Sequence, residues 1–470
     1  MSEDVHQLHY ELRLDAPALV TTLTGDPNTV EGETYLPGSI LLGAFAGAWI
    51  NRRRLADKAH QDRDFARLFL RGGLSLLNAY LIDDGTQART RLLPVPASFR
   101  RTKTDERIVY DLAAPNQDDG HALGVDGANP ARDATLRVGG YCRIEPSEGS
   151  RVTGMVVVRD PRTRLSFHTQ RADRLLGRPV ENGRGALFAY DALDGGQRFG
   201  GVISGDAADL AMLATTLGWA RNEPLTFSIG RSRSAEYGGQ ARLELLDGAP
   251  RPWSSEVAEP QEPDGRIVLT LTSHLLPYPT SDGDARVSFP GAELARALQD
   301  AGVAYDAERL AASMRAFTRI VRVGGFSGIW RMPRPQQAGL EAGSVFTFEG
   351  IQLDDAQRRA VERRAFGMRT GEGFGRVVVN WHGDDLRYRV ETEARRQPLV
   401  QPSEPPPEVF KRVVADTARR WAEDQARTSA LALADRFDRH RIPSAALLAR
   451  VVEDRIAQHE RHARQEGGRW

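Results

Sequence analysis

Gly371, Gly373 and Gly375 alternate with Glu372 and Phe374, and Arg369 and Arg376 flank the run. A backbone without side chains lets a ligand come close, an aromatic ring can stack on a base, and a guanidinium can grip phosphate. These are the parts needed to hold a single nucleic-acid strand. The run leads into a strand-like stretch, Val377 to Trp381, and so differs from the dinucleotide-binding glycine pattern, which opens a helix. A tight hairpin without ligand accounts for the same glycines. A second tract has the same ingredients: Arg231, Arg233, Ser234, Tyr237 and Gly238 lie between Ile229 and Gly239, just before Gln240 to Leu245.

Pro37-Gly38-Ser39 begins a helical pattern that runs from Ile40 to about Leu55, with Ser39 as the expected N-cap. Free amides and the positive end of the helix dipole suit a phosphate there. Gly38 would let it approach, and Gly43, one turn on, would admit another backbone. An ordinary capped helix packed on a sheet is the competing reading.

The most basic tract runs from Arg151 to Arg184, with eight arginines against three acids. Val156-Val157-Val158 and Leu165-Ser166-Phe167 flank Arg159-Asp160-Pro161-Arg162, which predicts a hairpin projecting Arg162, Arg164 and, further on, Arg171. A solvated arm is the alternative. His168 in this tract could act as a general base, but no carboxylate, second histidine or metal spacing supports it. No HExxH, Walker or G-x-S-x-G pattern occurs. The single cysteine, Cys142, excludes an intramolecular disulfide and a multi-cysteine zinc site. No metal or cofactor is expected.

The elements that must position these residues belong to a 470-residue chain with 63 basic and 63 acidic side chains. Only Lys58, Lys103 and Lys411 are lysines, so the cations are almost all arginine. Zero net charge argues against uniform coating of nucleic acid and leaves local patches to decide. No apolar run is long enough to span a bilayer, and the N-terminus is acidic where a signal peptide would be basic, so a cytoplasmic protein with no membrane partner is expected.

Three anchors recur in order. Alternating Leu8, Tyr10, Leu12 and Leu14 predict a strand before the Pro37-Gly38 helix, and Arg266 to Leu271 precedes Phe289-Pro290-Gly291-Ala292 and a second helix to about Gln299. Gly185 to Asp191 is mirrored by Gly343 to Glu349, and the two glycine loops complete the series. The organisation expected is a first domain at 1–247 with a long basic insertion, a linker at 248–265, a second domain at 266–400, a proline-rich linker at 401–407 and a helical region at 408–470.

This constellation resembles the RAMP superfamily of CRISPR-associated proteins. Tyr35-Leu36-Pro37-Gly38-Ser39-Ile40-Leu41-Leu42-Gly43-Ala44-Phe45 is similar to its first-helix motif, and Gly371-Glu372-Gly373-Phe374-Gly375-Arg376 to its C-terminal glycine loop. His168-Thr169 through Leu187-Phe188-Ala189-Tyr190, the tract Gly230 to Gly238, and Met332-Pro333-Arg334-Pro335 leading to Ala342-Gly343-Ser344-Val345-Phe346 narrow the likeness to the Csx-ten type of large subunit in type III-D effector complexes. It covers roughly residues 7 to 395. The resemblance implies an α+β fold of two RRM-like (ferredoxin-like) RAMP domains in tandem, here with a C-terminal α-helical extension.

It also implies a noncatalytic subunit that holds the 5′ repeat-derived handle of a CRISPR RNA. Its partners would be the large polymerase-like subunit and neighbouring RAMP subunits, with target RNA reached indirectly. Phosphate binding would fall on Gly38, Ser39 and Gly43, and loop contacts on Arg231, Arg233, Ser234, Tyr237, Arg369, Gly373, Phe374, Gly375 and Arg376. One departure is Glu293, which follows Gly291-Ala292 at the second helix start and would repel a phosphate. Two other functions remain open at this point: a metal-independent RAMP endoribonuclease that processes precursor RNA through His168, and an assembly scaffold without RNA contact.

Overall fold

A computed structural model describes residues 5–21, 29–30, 32–83, 90–115, 134–145, 154–169, 187–230, 239–263, 265–279, 287–305, 307–327, 332–383 and 385–391, and scattered positions between 415 and 457. The chain divides into two compact units, Met1–Thr392 and Glu393–Trp470. In the second, the described positions are helical, and Arg419 pairs with Glu423 one turn on at 3.3 Å.

The first unit opens with β1 (His6–Leu14), whose Leu8, Tyr10, Leu12 and Leu14 are buried as the alternation predicts. Its other face is covered too, because Gln7 and Glu11 are also buried and Glu11 accepts from Arg198 at 2.8 Å. Next comes α1 (Gly38–Arg53), which sinks Leu41, Phe45 and Trp49 into the core at a spacing of four. Each such side chain contributes about 1.5–3 kcal/mol of burial. Pro37, not Ser39, is the N-cap, and its carbonyl accepts from Ile40 and Leu41. The expected Ser39 cap is therefore corrected: the helix begins one residue before it, and Asn78 from across the fold accepts the Gly38 N–H at 2.9 Å.

The chain continues through β2 (Leu74–Leu76), β3 (Tyr80–Asp83), β4 (Arg198–Gly205), α2 (Ala207–Leu217) and β5 (Gln240–Leu245). The sheet order is β5-β1-β4-β3, antiparallel throughout, with β2 also on β4. After it come β6 (Arg266–Leu271), α3 (Gly291–Asp300), β7 (Arg315–Phe317), β8 (Val345–Glu349), α4 (Asp355–Arg363) and β9 (Val377–Val379). Their sheet runs β9-β6-β8-β7, again antiparallel. Both are βαββαβ arrangements with the last strand beside the first, so the α+β class with two ferredoxin-like folds follows from strand order itself. Each has its own hydrophobic core.

The first repeat anchor occupies equivalent places, a strand and then a helix start in each fold, but the middle one does not. Val345–Glu349 is β8, while Leu187–Leu193 pairs with Thr163–Thr169 and Thr29–Val30 in a separate three-stranded sheet. The true counterpart is β4, whose glycines hide it from strand propensity. They are needed: the Tyr10 ring lies where a side chain at Gly201 would go, and Arg91 crosses Gly200.

The hairpin expected across Arg159–Arg162 is also corrected. Gly154–Arg159 pairs with Tyr141–Glu145 and, in parallel, with Arg387–Glu391, whereas Thr163–Thr169 leaves for the three-stranded sheet. The resulting seven-stranded sheet mixes strands from the insertion with one that follows β9. The segment between the two ferredoxin-like folds is packed, not loose: Trp253 and Val257 are buried, and the Gln261 N–H donates to Asn380.

Candidate nucleic-acid interface

The 367–376 loop is a single turn of 3₁₀ helix, Thr370–Glu372, set between two left-handed residues, Arg369 (φ 59°) and Gly373 (φ 88°). Gly375 is left-handed as well (φ 71°). The loop is closed by Phe366 N–H to Gly375 and by Gly375 N–H to His274, 2.9 and 2.8 Å. It lies on the first ferredoxin-like fold. Ser75 Oγ donates to the Thr370 carbonyl at 2.9 Å, and a side chain at Gly373 would strike the backbone of Leu76 to Asn78.

Gly38 closes the same contact from the helix side, since a Cβ there would collide with the carbonyl oxygens of Leu76 and Glu372. The helix start and the glycine loop, singled out separately by residue type, are one place in the fold. Their glycines are explained first by this close chain-to-chain approach.

The charged side chains of the loop converge on Glu372. Arg369 reaches its two oxygens at 3.2 and 2.6 Å, and Arg334 does so at 3.0 and 3.2 Å. Burial alone would raise the Glu372 pKa, but the hydrogen bonds and charge of Arg369 and Arg334 outweigh it and hold the carboxyl below its ordinary value. The Arg369 guanidinium also sits over the Phe374 ring, 4.7 Å from its centroid.

Arg376 does not join them. It is buried, with its backbone N–H on Ser273 Oγ and its guanidinium near Glu256 and Glu362, and burial lowers its pKa. The expected pair of flanking cations is thus corrected to one loop cation, Arg369, joined by Arg334 from a neighbouring segment. Arg376 directly precedes β9, whose three residues are all buried.

Gly43 faces solvent on α1, with nothing within 4 Å of where its Cβ would be. Arg162 and Arg164 are exposed, near Leu165 and Phe167, which are 55% and 67% exposed. Arg162 donates weakly to the Gly195 carbonyl at 3.4 Å. The His168 backbone belongs to the Thr163–Thr169 strand, but its side chain lies outside the described residues, as do Arg171, Arg231, Arg233, Ser234, Tyr237 and Gly238.

The Glu293 carboxylate accepts the Gly367 N–H at 2.9 Å, so it stitches α3 to the entrance of the loop. Three features escaped residue-type reasoning. Asn78 caps α1 from the far side of a turn. Arg334 is recognisable only by its place between prolines, and Arg100 has its pKa lowered by burial and by the charges of Arg137 and Arg319.

A third group has the outline of a catalytic relay: Asp111 Oδ2 to His382 Nδ1 at 2.5 Å, and His382 Nε2 to Thr270 Oγ1 at 3.0 Å. All three residues are buried, so no substrate reaches them, and the network joins the seven-stranded sheet to β6 as structure. Among the described residues no cluster of three or more His, Cys, Asp or Glu side chains could hold a metal ion, and no helix is long and apolar enough to cross a membrane.

Neither a family model nor a curated protein matches the chain. Among solved structures it is similar to a chain of the type III-B Cmr-beta complex bound to cognate target RNA and AMPPnP, at 11% identity and a TM-score of 0.36, over 72% of this chain and 86% of that one. It is also similar to a RAMP protein binding different RNA substrates, at 11% identity and 0.28, over 80% and 99%. A third similarity is to a subcomplex of the type III-A CRISPR-Cas interference complex, at 9% and 0.29, over 74% and 92%. The fold class rests on strand order, not on these loose superpositions.

Proposed function

We propose that the chain is an RNA-binding subunit of a type III CRISPR effector complex, of the III-D kind suggested by the motif resemblance, which holds the 5′ repeat-derived handle of the guide. One observation carries the reading: the helix-start motif and the glycine-loop motif meet, with Arg334, Arg369 and Phe374 beside the junction. Amides, guanidinium groups and an aromatic face within one site suit a phosphate backbone with a splayed base. The two copies are unequal in this reading. The first turn of α1 holds no acid and its capping partner is a neutral amide, whereas α3 carries Glu293 in its first turn. Phosphate is therefore assigned to Ser39 and Gly43 in the first copy, with Gly38, whose N–H is taken by Asn78, serving the close packing beneath them.

Arg162, Arg164 and the exposed Leu165 and Phe167 fit contact with a neighbouring subunit as well as RNA. The large subunit and adjoining RAMP subunits are the proposed protein partners. The test is to purify the protein natively, extract and sequence any bound nucleic acid, and measure filter binding of repeat-derived RNA by wild type and by an Arg334→Ala, Arg369→Ala variant. Weaker binding across all RNA sequences is expected, as for phosphate contacts. Unchanged binding in the folded variant removes this site from the RNA path.

A further inference from the structure

Glu372 is an acid at the centre of a loop assigned to a polyanion, and its geometry gives it a role. Two guanidinium groups from separate segments each take both of its oxygens, so one negative charge is matched by two positive ones. A phosphodiester presents the same pair of terminal oxygens with the same single charge.

We propose that Glu372 is a built-in stand-in for a backbone phosphate: its carboxylate fills the fork made by Arg334 and Arg369 until an RNA strand displaces it. The proposal rests on the RNA-binding reading above and names what regulates the same site. The mouth of the fork opens toward Arg334, whose side chain is 45% exposed, against 18% for Arg369 and Glu372. Phe374 lies under Arg369 and keeps that guanidinium oriented after the carboxylate leaves. The Glu372 backbone is fixed by its N–H on the Arg369 carbonyl, 2.9 Å, so displacement needs only a side-chain rotation. The carboxylate thus holds two arginines in a binding posture and competes for them, setting the affinity.

Filter binding of repeat-derived RNA across a salt series tests this with the full chain as wild type, Glu372→Gln, Arg334→Gln and the double variant. Glutamine keeps the shape and removes the charge. Glu372→Gln is expected to bind about 2- to 5-fold tighter, the scale of a partly exposed ion pair that no longer has to be broken. Its plot of log affinity against log salt should keep close to the wild-type slope, because both arginines reach phosphate in either protein. Arg334→Gln should bind more weakly with a shallower slope, and the double variant should lose most of the Glu372→Gln gain.

If Glu372 is only a staple between loop segments, Glu372→Gln will lower the melting temperature and bind RNA equally or less well, and the proposal is overturned. Should Glu372→Gln fail to fold, an unchanged slope in Arg334→Gln overturns it independently. Wild type that binds no RNA at all defeats the RNA-binding reading, and the proposal with it. Wild type that binds while Glu372→Gln shows no gain defeats the proposal alone.

Discussion

Replacing Gly43 and Gly38 by alanine, one at a time, separates binding from folding on a single helix. Gly43 is exposed in the middle of α1 with open space around it. Alanine there recovers the helix propensity that glycine forfeits, about 0.8–1 kcal/mol. In a unit of this size that raises the melting temperature by only about 1 °C, so denaturant midpoints are the better readout.

If Gly43 is glycine because an RNA backbone lies against it, the more stable Gly43→Ala variant should bind RNA less tightly, on the order of 10-fold for one displaced phosphate contact. Gly38→Ala should behave oppositely in stability. Its Cβ meets two backbone carbonyl oxygens that cannot swing aside, so the cost lies at or above the upper end of overpacking penalties, about 3 kcal/mol. Urea titration and filter binding on both variants read the two quantities independently. A Gly43→Ala protein that gains stability and keeps full RNA affinity refutes close approach at α1, and one that loses stability refutes the placement of Gly43 on an open face.

Glu33 is desolvated and lies near Glu341, which together push its pKa up to about 7. The folded state therefore holds a proton that the unfolded chain has lost, and stability falls as pH rises between about 4.5 and 7. Glu33→Gln should be near neutral at pH 5 and stabilising by about 2 kcal/mol at pH 8 in urea melts, a figure discounted for its partial exposure; an equal effect at both values would show an ordinary surface acid. His274 has the opposite sign. Burial takes it down to about 4, and its Nδ1 accepts the Ala342 N–H at 2.9 Å, so the folded state excludes a proton and stability is lost as pH drops below about 6.5. Between pH 7 and 5 wild type should lose about 2 kcal/mol more than His274→Gln, and parallel curves would contradict the buried neutral imidazole. Arg376→Ala should cost about 3 kcal/mol by leaving Glu256 and Glu362 short of a buried cation, with RNA affinity of the folded protein intact; a stable variant that binds weakly would return Arg376 to the interface.

The parts of the fold legible in the residues were those written in local chemistry. Period-two apolar alternation marked β1, Pro-Gly steps marked the starts of α1 and α3, and glycine loops marked the approach to β5 and β9. What stayed hidden depends on partners distant in sequence. The strand Arg198–Gly205 is too rich in glycine to look like a central strand until Tyr10 is laid across it. Arg159 and Arg162 bracket a proline as hairpin residues would, yet their strands belong to different sheets, because Gly154–Arg159 finds a parallel neighbour in Arg387–Glu391 from the far end of the unit. Arg376 follows the same rule: as part of a loop it looks available, but it runs into a strand buried on both faces and is buried with it.

Two ferredoxin-like folds give two helix starts, and in the RNA-binding proposal the difference in their charges explains why they need not do the same work. A helix N-terminus carries a partial positive charge that some anion or dipole must answer. At α3 the answer is supplied within the fold, since Glu293 stands in the first turn and also takes the Gly367 amide. At α1 the first turn holds no acid, and the Gly38 N–H goes to the neutral side-chain carbonyl of Asn78. The loop of the second copy then closes over the helix start of the first, bringing Arg369 and Phe374 to the end that lacks its own carboxylate. A composite site built from one copy's helix and the other's loop accounts for both departures from symmetry. In the RNA-binding proposal the acid at position 293 tunes the helix start that receives no strand, and the close packing of Gly38 and Gly373 against the backbone of Leu76 holds the one that does.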